Sequence, residues 1–179
     1  MIRRWRHLLW LLLLAAPLAL AAAPRDPDTH FFDETFGDFQ EELARARAEG
    51  KQGVLLFFEM DECPFCHRMK DTVLNQAEVQ DFYQERFLIF RVDIEGDLEM
   101  VDFSGEHMTQ KDFAFKHNRV RATPVFQFYD LDGQPVARYT GATSGVEEFL
   151  WLGEYAATGV YKDLPFSKYK RLRRQQERP

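Results

Sequence analysis

The apolar residues of the chain follow two different spacings. Short, nearly continuous apolar runs are typical of buried strands. They occupy residues 54–59 (VLLFFE), 87–94 (FLIFRVDI) and 125–130 (VFQFYD). A further strand, at residues 135–139, follows Asp132-Gly133, a dipeptide that favours a hairpin turn. The pattern therefore predicts four strands, the last two of them antiparallel neighbours.

Between these runs, apolar residues recur at intervals of three and four, as they do on one face of a helix. The segments with this spacing are residues 36–49, a stretch that begins at Cys66, residues 77–86, residues 111–117, and a helix capped by Ser144 that ends near Ala157. Residues 100–109 predict a small hairpin turning at Ser104-Gly105. Alternating helices and strands with a closing hairpin predict an α/β fold, a central mixed β-sheet flanked by helices.

The two ends of the chain differ from this pattern. Arginines at positions 3, 4 and 6 precede an apolar run at residues 8–20 and three alanines, which is the layout of a secretory signal. We expect cleavage after Ala21 or Ala22; the alternative is an uncleaved membrane anchor, for which the run is short. The chain then divides into a signal peptide (1–22), a polar leader (23–35), a folded domain (36–159) and a basic tail (160–179).

Charge is unevenly distributed along the exported part. Residues 24–167 contain 14 Lys and Arg against 28 Asp and Glu, a net charge of −14, which argues against nucleic-acid binding. The last twelve residues, KYKRLRRQQERP, contain six basic residues and one acid. We interpret them as a solvated helix end, with weak contact to an anionic membrane surface or an acidic partner as the alternative.

Both cysteines of the chain lie in ECPFCH, residues 62–67. Read as C-x-x-C the stretch is a dithiol redox pair, and read as C-x-x-C-H it is an attachment site for c-type haem. A disulfide across so short a loop adds little stability, and a zinc site would need more ligands than the chain offers nearby. We therefore predict a chemical use for Cys63 and Cys66 and no metal.

The position of ECPFCH favours sulfur chemistry. It ends a predicted strand and opens a helix, and a helix N-terminus stabilises an anion. Cys63 is therefore predicted to be the nucleophile, Cys66 the thiol that resolves a mixed disulfide, and Pro64 a residue suited to the first helical turn. In the haem reading, His67 would be an axial ligand with Met100 or Met108. That reading is disfavoured because haem c domains are mainly helical.

The segments FFEMDECPFCHRM, DFSGE and VRATPVFQFYDLDG resemble thioredoxin-like proteins over residues 36–159. Within that superfamily the chain is most similar to exported proteins encoded in bacterial sulfur-oxidation gene clusters. The resemblance implies a thioredoxin fold with C-x-x-C as its redox centre. It also implies a cis peptide bond at Thr123-Pro124, which would present backbone hydrogen-bonding groups to an extended substrate peptide.

The chain departs from ordinary thioredoxins around the cysteines. The intervening dipeptide is Pro64-Phe65 in place of Gly-Pro, and the usual buried acid falls on Phe57. Because strand residues alternate, Glu59 lies on the same face, nearer the cysteines, and we hypothesise that it exchanges protons with Cys66. The alternative is a partly exposed strand-end carboxylate.

Two further residues of the motif have candidate roles. His67 either favours the thiolate or faces solvent. Phe65 is expected to contribute to an apolar rim that meets substrate.

These residues predict a periplasmic thiol–disulfide oxidoreductase that needs no cofactor. The resemblance suggests the reducing direction, with electrons from a membrane thiol-transfer protein passed to protein substrates with disulfides or thiols. A disulfide-introducing oxidase and a non-catalytic binding module on the same fold are the alternatives.

Overall fold

The computed structural model describes residues 23–177. The strands are β1 (Gly53–Glu59), β2 (Phe87–Asp93), β3 (Glu99–Val101), β4 (His107–Thr109), β5 (Val125–Tyr129) and β6 (Pro135–Thr140). The helices are α1 (Pro27–His30), α2 (Phe39–Ala48), α3 (Pro64–Met69), α4 (Ala77–Arg86), α5 (Gln110–Asp112), α6 (Val146–Ala157) and α7 (Phe166–Gln176). Helices α3 and α5 continue into π-helical turns at Lys70–Leu74 and Phe113–His117, and a 3₁₀ turn spans Val160–Lys162.

Four strands form one mixed sheet in the order β2-β1-β5-β6. β1 and β2 are parallel, whereas β5 is antiparallel to both β1 and β6. β3 and β4 pair separately as a two-stranded antiparallel ribbon. With helices packed on both faces, this is the predicted α/β architecture, and the prediction is confirmed.

Alternation along the strands divides the core between the two faces of the sheet. Leu55 and Phe57 of β1 point to the face that also buries both cysteines and is covered by α3, α4 and α6. Leu56 and Phe58 point to the opposite face, beneath α2 and the π-helical turn after α5. The cysteines therefore belong to the core on the first face of the sheet and follow the end of the central strand β1.

Two helix starts differ from the sequence prediction. Helix α2 begins at Phe39 because the Asp38 carboxylate caps it by accepting hydrogen bonds from the N–H groups of Gln40 and Glu41. Phe36, the predicted start, is fully exposed. Helix α6 begins after Gly145, not after a Ser144 cap. The Ser144 hydroxyl instead donates to the Glu148 carboxylate one turn into the helix.

The polar leader is partly incorporated into the fold. Its short helix α1 ends just before Phe31 and Phe32, which are both buried in the first-face core. Asp33 accepts a hydrogen bond from the Ile89 N–H at 2.7 Å, which fixes the leader beside β2. The packed unit therefore extends before residue 36, and burial of two adjacent aromatic side chains stabilises the leader against the sheet. The predicted signal peptide lies outside the described residues.

The basic tail also packs against the domain. Phe166 and Tyr169 of the tail lie against Tyr155 of α6, with ring centroids 5.3 and 5.5 Å apart. Three tail cations are engaged in ion pairs with α6: Lys170 and Arg174 with Glu148, and Arg173 with Glu154. These contacts leave fewer cations free for a membrane surface, and that contact stays a prediction. Between residues 23 and 177, no helix is long and apolar enough to cross a membrane.

Candidate active site

The two cysteines lie where the chain passes from β1 into α3. Cys63 has an extended backbone and is the N-cap of α3, and Pro64 occupies the first helical position. Proline fits there because its missing N–H would have no intrahelical partner. The Cys63 and Cys66 sulfurs form a disulfide, with Cα atoms 5.2 Å apart. The structure is therefore that of the oxidised protein.

The Cys63 sulfur accepts two hydrogen bonds. The backbone N–H of Cys66 donates to it at 3.1 Å, and the hydroxyl of Thr123 donates at 3.2 Å. Both cysteines are nearly inaccessible, with Cys63 2% exposed. In the reduced protein the same two donors face the sulfur on which a thiolate would form, and hydrogen bonds to an ionised acceptor are the stronger kind.

The loop that carries Thr123 comes from a distant part of the chain, 60 residues after Cys63. The Thr123–Pro124 peptide bond is cis, and Pro124 is buried at the start of β5. The carbonyl of Pro124 accepts from the Gly141 N–H at 2.8 Å, which ties the loop to the end of β6. The fold thus brings the two predicted segments, 62–67 and 123–124, side by side.

Phe65 and His67 both face outward from α3. Phe65 is 55% exposed, and its ring centroid lies 5.3 Å from the guanidinium carbon of Arg68. The His67 Nε2 is 3.0 Å from the carbonyl oxygen of Asp61. Phe65 is therefore an accessible apolar side chain next to the disulfide, whereas His67 is held by the turn that precedes it.

Glu59 contacts a residue that the sequence reasoning missed. Its carboxylate lies 2.8 Å from the Lys70 ammonium, with both side chains mostly buried. Within residues 23–177 its carboxylate makes no hydrogen bond to Cys66, and proton exchange between the two stays a prediction. Helical spacing could have indicated Lys70, because it lies four residues after Cys66 and so on the same side of the helix.

The sequence matches the profile of the thioredoxin-like domain over residues 39–157, about two thirds of the chain. Comparison with curated protein sequences gives no match.

Several solved structures are similar to the fold. A thioredoxin-fold protein from Helicobacter pylori is 22% identical, with a TM-score of 0.58 over 72% of this chain and 88% of that one. A putative disulphide-isomerase from Bacteroides thetaiotaomicron is 25% identical, with a TM-score of 0.55 over 78% and 97%. A thioredoxin from Thermus thermophilus is 26% identical, with a TM-score of 0.52 over 68% and 86%.

Proposed function

Because the chain belongs to the thioredoxin-like domain family and has both cysteines of the redox pair, we propose that it is a periplasmic reductase of protein disulfides. One observation carries the thiol–disulfide exchange chemistry, whichever way the electrons run. The Cys63 sulfur lies at the N-terminus of α3 and accepts hydrogen bonds from the Cys66 N–H and the Thr123 hydroxyl. Such a site stabilises the attacking form of Cys63 once the disulfide is reduced.

The reaction is a two-electron thiol–disulfide exchange. The Cys63 thiolate attacks one sulfur of a partner disulfide, which forms a mixed disulfide and expels the other partner sulfur as a thiolate. The Cys66 thiolate then attacks the Cys63 sulfur, so the Cys63–Cys66 disulfide forms and the second partner thiol is released. The partner gains two electrons and this protein loses two. A dithiol on a membrane thiol-transfer protein is the proposed donor that restores the reduced form.

The residues around the disulfide support a peptide-binding role. Thr123 and Pro124 lie beside Cys63, where backbone groups of the loop would pair with an extended substrate segment. Phe65, half exposed between Cys63 and Cys66 in α3, would contact an apolar side chain of that segment. A similarity to a thioredoxin and to a putative disulphide-isomerase supports protein substrates of this kind.

The reducing direction is supported by the charge beside the cysteines. Exposed Asp61 and Glu62 immediately precede Cys63. Strong oxidants of this chemistry owe their potential to a stabilised reduced form, and neighbouring carboxylates oppose a thiolate. The acidic turn therefore favours the disulfide form of this protein and transfer of electrons to the partner. Export to the periplasm rests on the predicted signal peptide.

Redox titration of the protein against glutathione tests the direction. We expect a reducing midpoint, near or below that of thioredoxin at about −270 mV. A midpoint near that of a strong oxidant, about −120 mV, would instead favour the disulfide-introducing alternative.

Trapping tests the mechanism itself. In Cys66→Ser the resolving thiol is lost, so mixed disulfides with partner proteins should accumulate through Cys63 and disappear on treatment with a small dithiol. Cys63→Ser is the matched control and should trap no partner. Absence of mixed disulfides in both variants would favour a binding module without turnover.

We also propose that Glu59 relays a proton to and from Cys66. Glu59→Gln should then change the pH dependence of the resolving step, whereas the alkylation rate of Cys63 should stay unchanged. Lys70 is the ion-pair partner of Glu59, so Lys70→Met serves as the comparison that perturbs the pair but retains the carboxylate. An unchanged pH profile in Glu59→Gln would show that the carboxylate serves only the ion pair.

A further inference from the structure

Helices α4, α6 and α7 meet around a surface cavity of about 570 Å³. This volume is in the range of about 300–1,000 Å³ that is typical of ligand pockets. The described residues that line it all come from these three helices, and none belongs to residues 59–70 or 123–124 around the cysteines. We call it the α6 groove, after the helix that supplies most of its lining residues. It is therefore a concave surface separate from the redox centre.

The floor of the α6 groove is apolar. Helix α6 contributes Val146, Leu150 and Trp151, and α4 contributes Phe82. Val146 and Leu150 are one helical turn apart, so they lie on the same face of α6. Phe82 comes close to α6 because Gly153 has no side chain; a Cβ atom there would lie only 2.6 Å from the Phe82 ring. Val146, Leu150 and Phe82 are only partly buried, so the groove leaves apolar surface in contact with solvent.

The rim of the α6 groove is acidic. It has four carboxylates and one guanidinium, a net charge of −3, from Glu78, Glu147, Glu154, Glu177 and Arg173. Arg173 already lies 2.9 Å from Glu154 and 3.7 Å from Glu177. The carboxyl of Glu147 shares a hydrogen bond with that of Glu177, which raises the pKa of Glu147. Within residues 23–177, the exposed Glu78 and Glu147 take part in no salt bridge. The rim therefore carries excess negative charge beside exposed apolar surface.

We propose that the α6 groove binds a basic amphipathic helix of a partner protein. The apolar side chains of that helix would lie on the floor, and its Lys or Arg side chains would pair with the rim carboxylates. Such helices bind grooves through apolar residues at intervals of three and four. Helix α6 lines the groove from Val146 to Glu154, a length of about 12 Å, which about two turns of a bound helix would span. Binding here is independent of the redox reaction and of its direction.

Charge selects among partners. An anionic membrane surface or a nucleic acid would face the rim carboxylates and be repelled. A purely apolar segment would cover the floor but leave Glu78 and Glu147 without cationic partners. A basic amphipathic helix matches both parts of the groove, because apolar burial supplies binding free energy and opposite charges fix the choice of partner. A helix bound here would leave the Cys63–Cys66 disulfide accessible, so docking would not block thiol–disulfide exchange.

Fluorescence titration of the exported protein, residues 23–179, tests the groove. This part of the chain contains one tryptophan, Trp151, and it lines the groove. The probe is a synthetic peptide of Leu and Lys in which the leucines lie on one helical face. We expect a saturable shift of Trp151 emission at one peptide per protein, with binding at least about fivefold weaker near 1 M salt. A peptide with Glu in place of Lys and a peptide of the same composition in scrambled order should produce no saturable shift.

Substitutions at the rim locate the binding. Glu78→Gln combined with Glu147→Gln should weaken binding of the Lys peptide by about fivefold at low ionic strength, because each change removes one charge pair. Glu41→Gln combined with Glu95→Gln is the matched control. Both of these acids are exposed and lie outside the groove, on α2 and after β2, so the same net charge is lost. Affinity in the control should change by less than about twofold.

A substitution in the floor tests the apolar contact. Leu150→Ala should weaken binding by about tenfold, because less apolar surface is buried against the peptide. Leu98→Ala is the control: this leucine is 71% exposed, lies after β2 and does not line the groove, so its loss should leave affinity unchanged. Circular dichroism verifies folding of each variant, and the rim variants alter only exposed side chains.

Three results would overturn the proposal: no saturable binding, equal binding of the Glu peptide, or equal loss of affinity in the two double variants. A shift of Trp151 emission on raising the protein concentration alone would overturn it as well. That result would assign the α6 groove to a second copy of this chain, whose helix α7 is itself basic.

Discussion

At the scale of single residues, the hydroxyl of Thr123 is the group that links the cis-proline loop to the redox centre. It donates to the Cys63 sulfur at 3.2 Å, and the remaining donor at that sulfur is a backbone N–H that no side-chain substitution removes. A hydrogen bond to a charged acceptor is worth about 1.5–3 kcal/mol, and 1.36 kcal/mol corresponds to one pKa unit. We therefore predict a measurable influence of Thr123 on the reactivity of Cys63.

Thr123→Val retains the shape of the side chain and removes the donor. In the reduced protein, the pH at which Cys63 reaches half its maximal alkylation rate should rise by about one unit. Iodoacetamide labelling across pH measures this rate. Thr123→Ser retains a hydroxyl and should behave like the parent protein, whereas equal profiles for the valine variant and the parent would remove Thr123 from the chemistry.

At the scale of elements, one buried carboxylate makes several of the polar contacts that attach helix α7 to the domain. Glu148 is 3% exposed and accepts from the Tyr139 hydroxyl at 2.9 Å and the Lys170 ammonium at 2.7 Å. Burial and the adjacent carboxylate raise the pKa of Tyr139 to about 12, so its hydroxyl keeps the proton that it donates. This network joins β6, α6 and α7.

Lys170→Met should therefore destabilise the fold. Removing one partner of a buried ion pair costs about 3–5 kcal/mol, but Arg174 and two hydroxyls remain on Glu148, so we expect about 1–3 kcal/mol. Urea unfolding measures the change. Lys168→Met is the control: it removes an exposed cation of the same helix that has no acidic partner among residues 23–177, and its effect should stay within about 0.5 kcal/mol.

The same carboxylate makes stability depend on pH. Burial opposes ionisation of Glu148, but hydrogen bonds from Lys170, Ser144 and Tyr139 outweigh it and lower the pKa below the ordinary 4.5. A depressed folded-state pKa contributes stability above the unfolded-state value, and this contribution is lost as pH falls through the folded-state value.

Glu148→Gln should accordingly be less stable than the parent protein near pH 7, with a difference that narrows below about pH 4.5. Urea unfolding measured from pH 7 to acid would show the two curves converge. A constant difference across that range would contradict the assigned role of the carboxylate.

The elements were predictable to the extent that their signals are local. Apolar runs predicted the strands at 54–59 and 125–130, and a short motif predicted the cysteines at the start of a helix. The structure has both strands and places this helix at α3. The sequence prediction began the helix at Phe36. The capping chemistry of Asp38 could have indicated the observed start of α2 at Phe39. The burial of Phe31 and the attachment of α7 depend on partners far along the chain, which periodicity does not show.

At the scale of the whole molecule, negative charge is concentrated in the domain that carries the redox centre. Residues 24–167 have a net charge of −14, and Asp61 and Glu62 place part of it next to Cys63. The tail offsets this charge only in part, because its last twelve residues contain six basic residues and one acid. A charged surface around a reactive group raises the encounter rate of partners of opposite sign.

Exchange should therefore discriminate between substrates by charge. For two disulfide peptides that differ only in Lys versus Glu flanking residues, we expect the cationic one to be reduced about tenfold faster at low ionic strength. Its advantage should largely vanish near 1 M salt, where the screening length falls to about 3 Å. Stopped-flow rates with the reduced protein measure both effects. If Asp61 and Glu62 cause the preference, the double variant Asp61→Asn, Glu62→Gln should reduce the two peptides at more similar rates. An unchanged ratio of the two rates would assign the steering to the net charge of the whole domain.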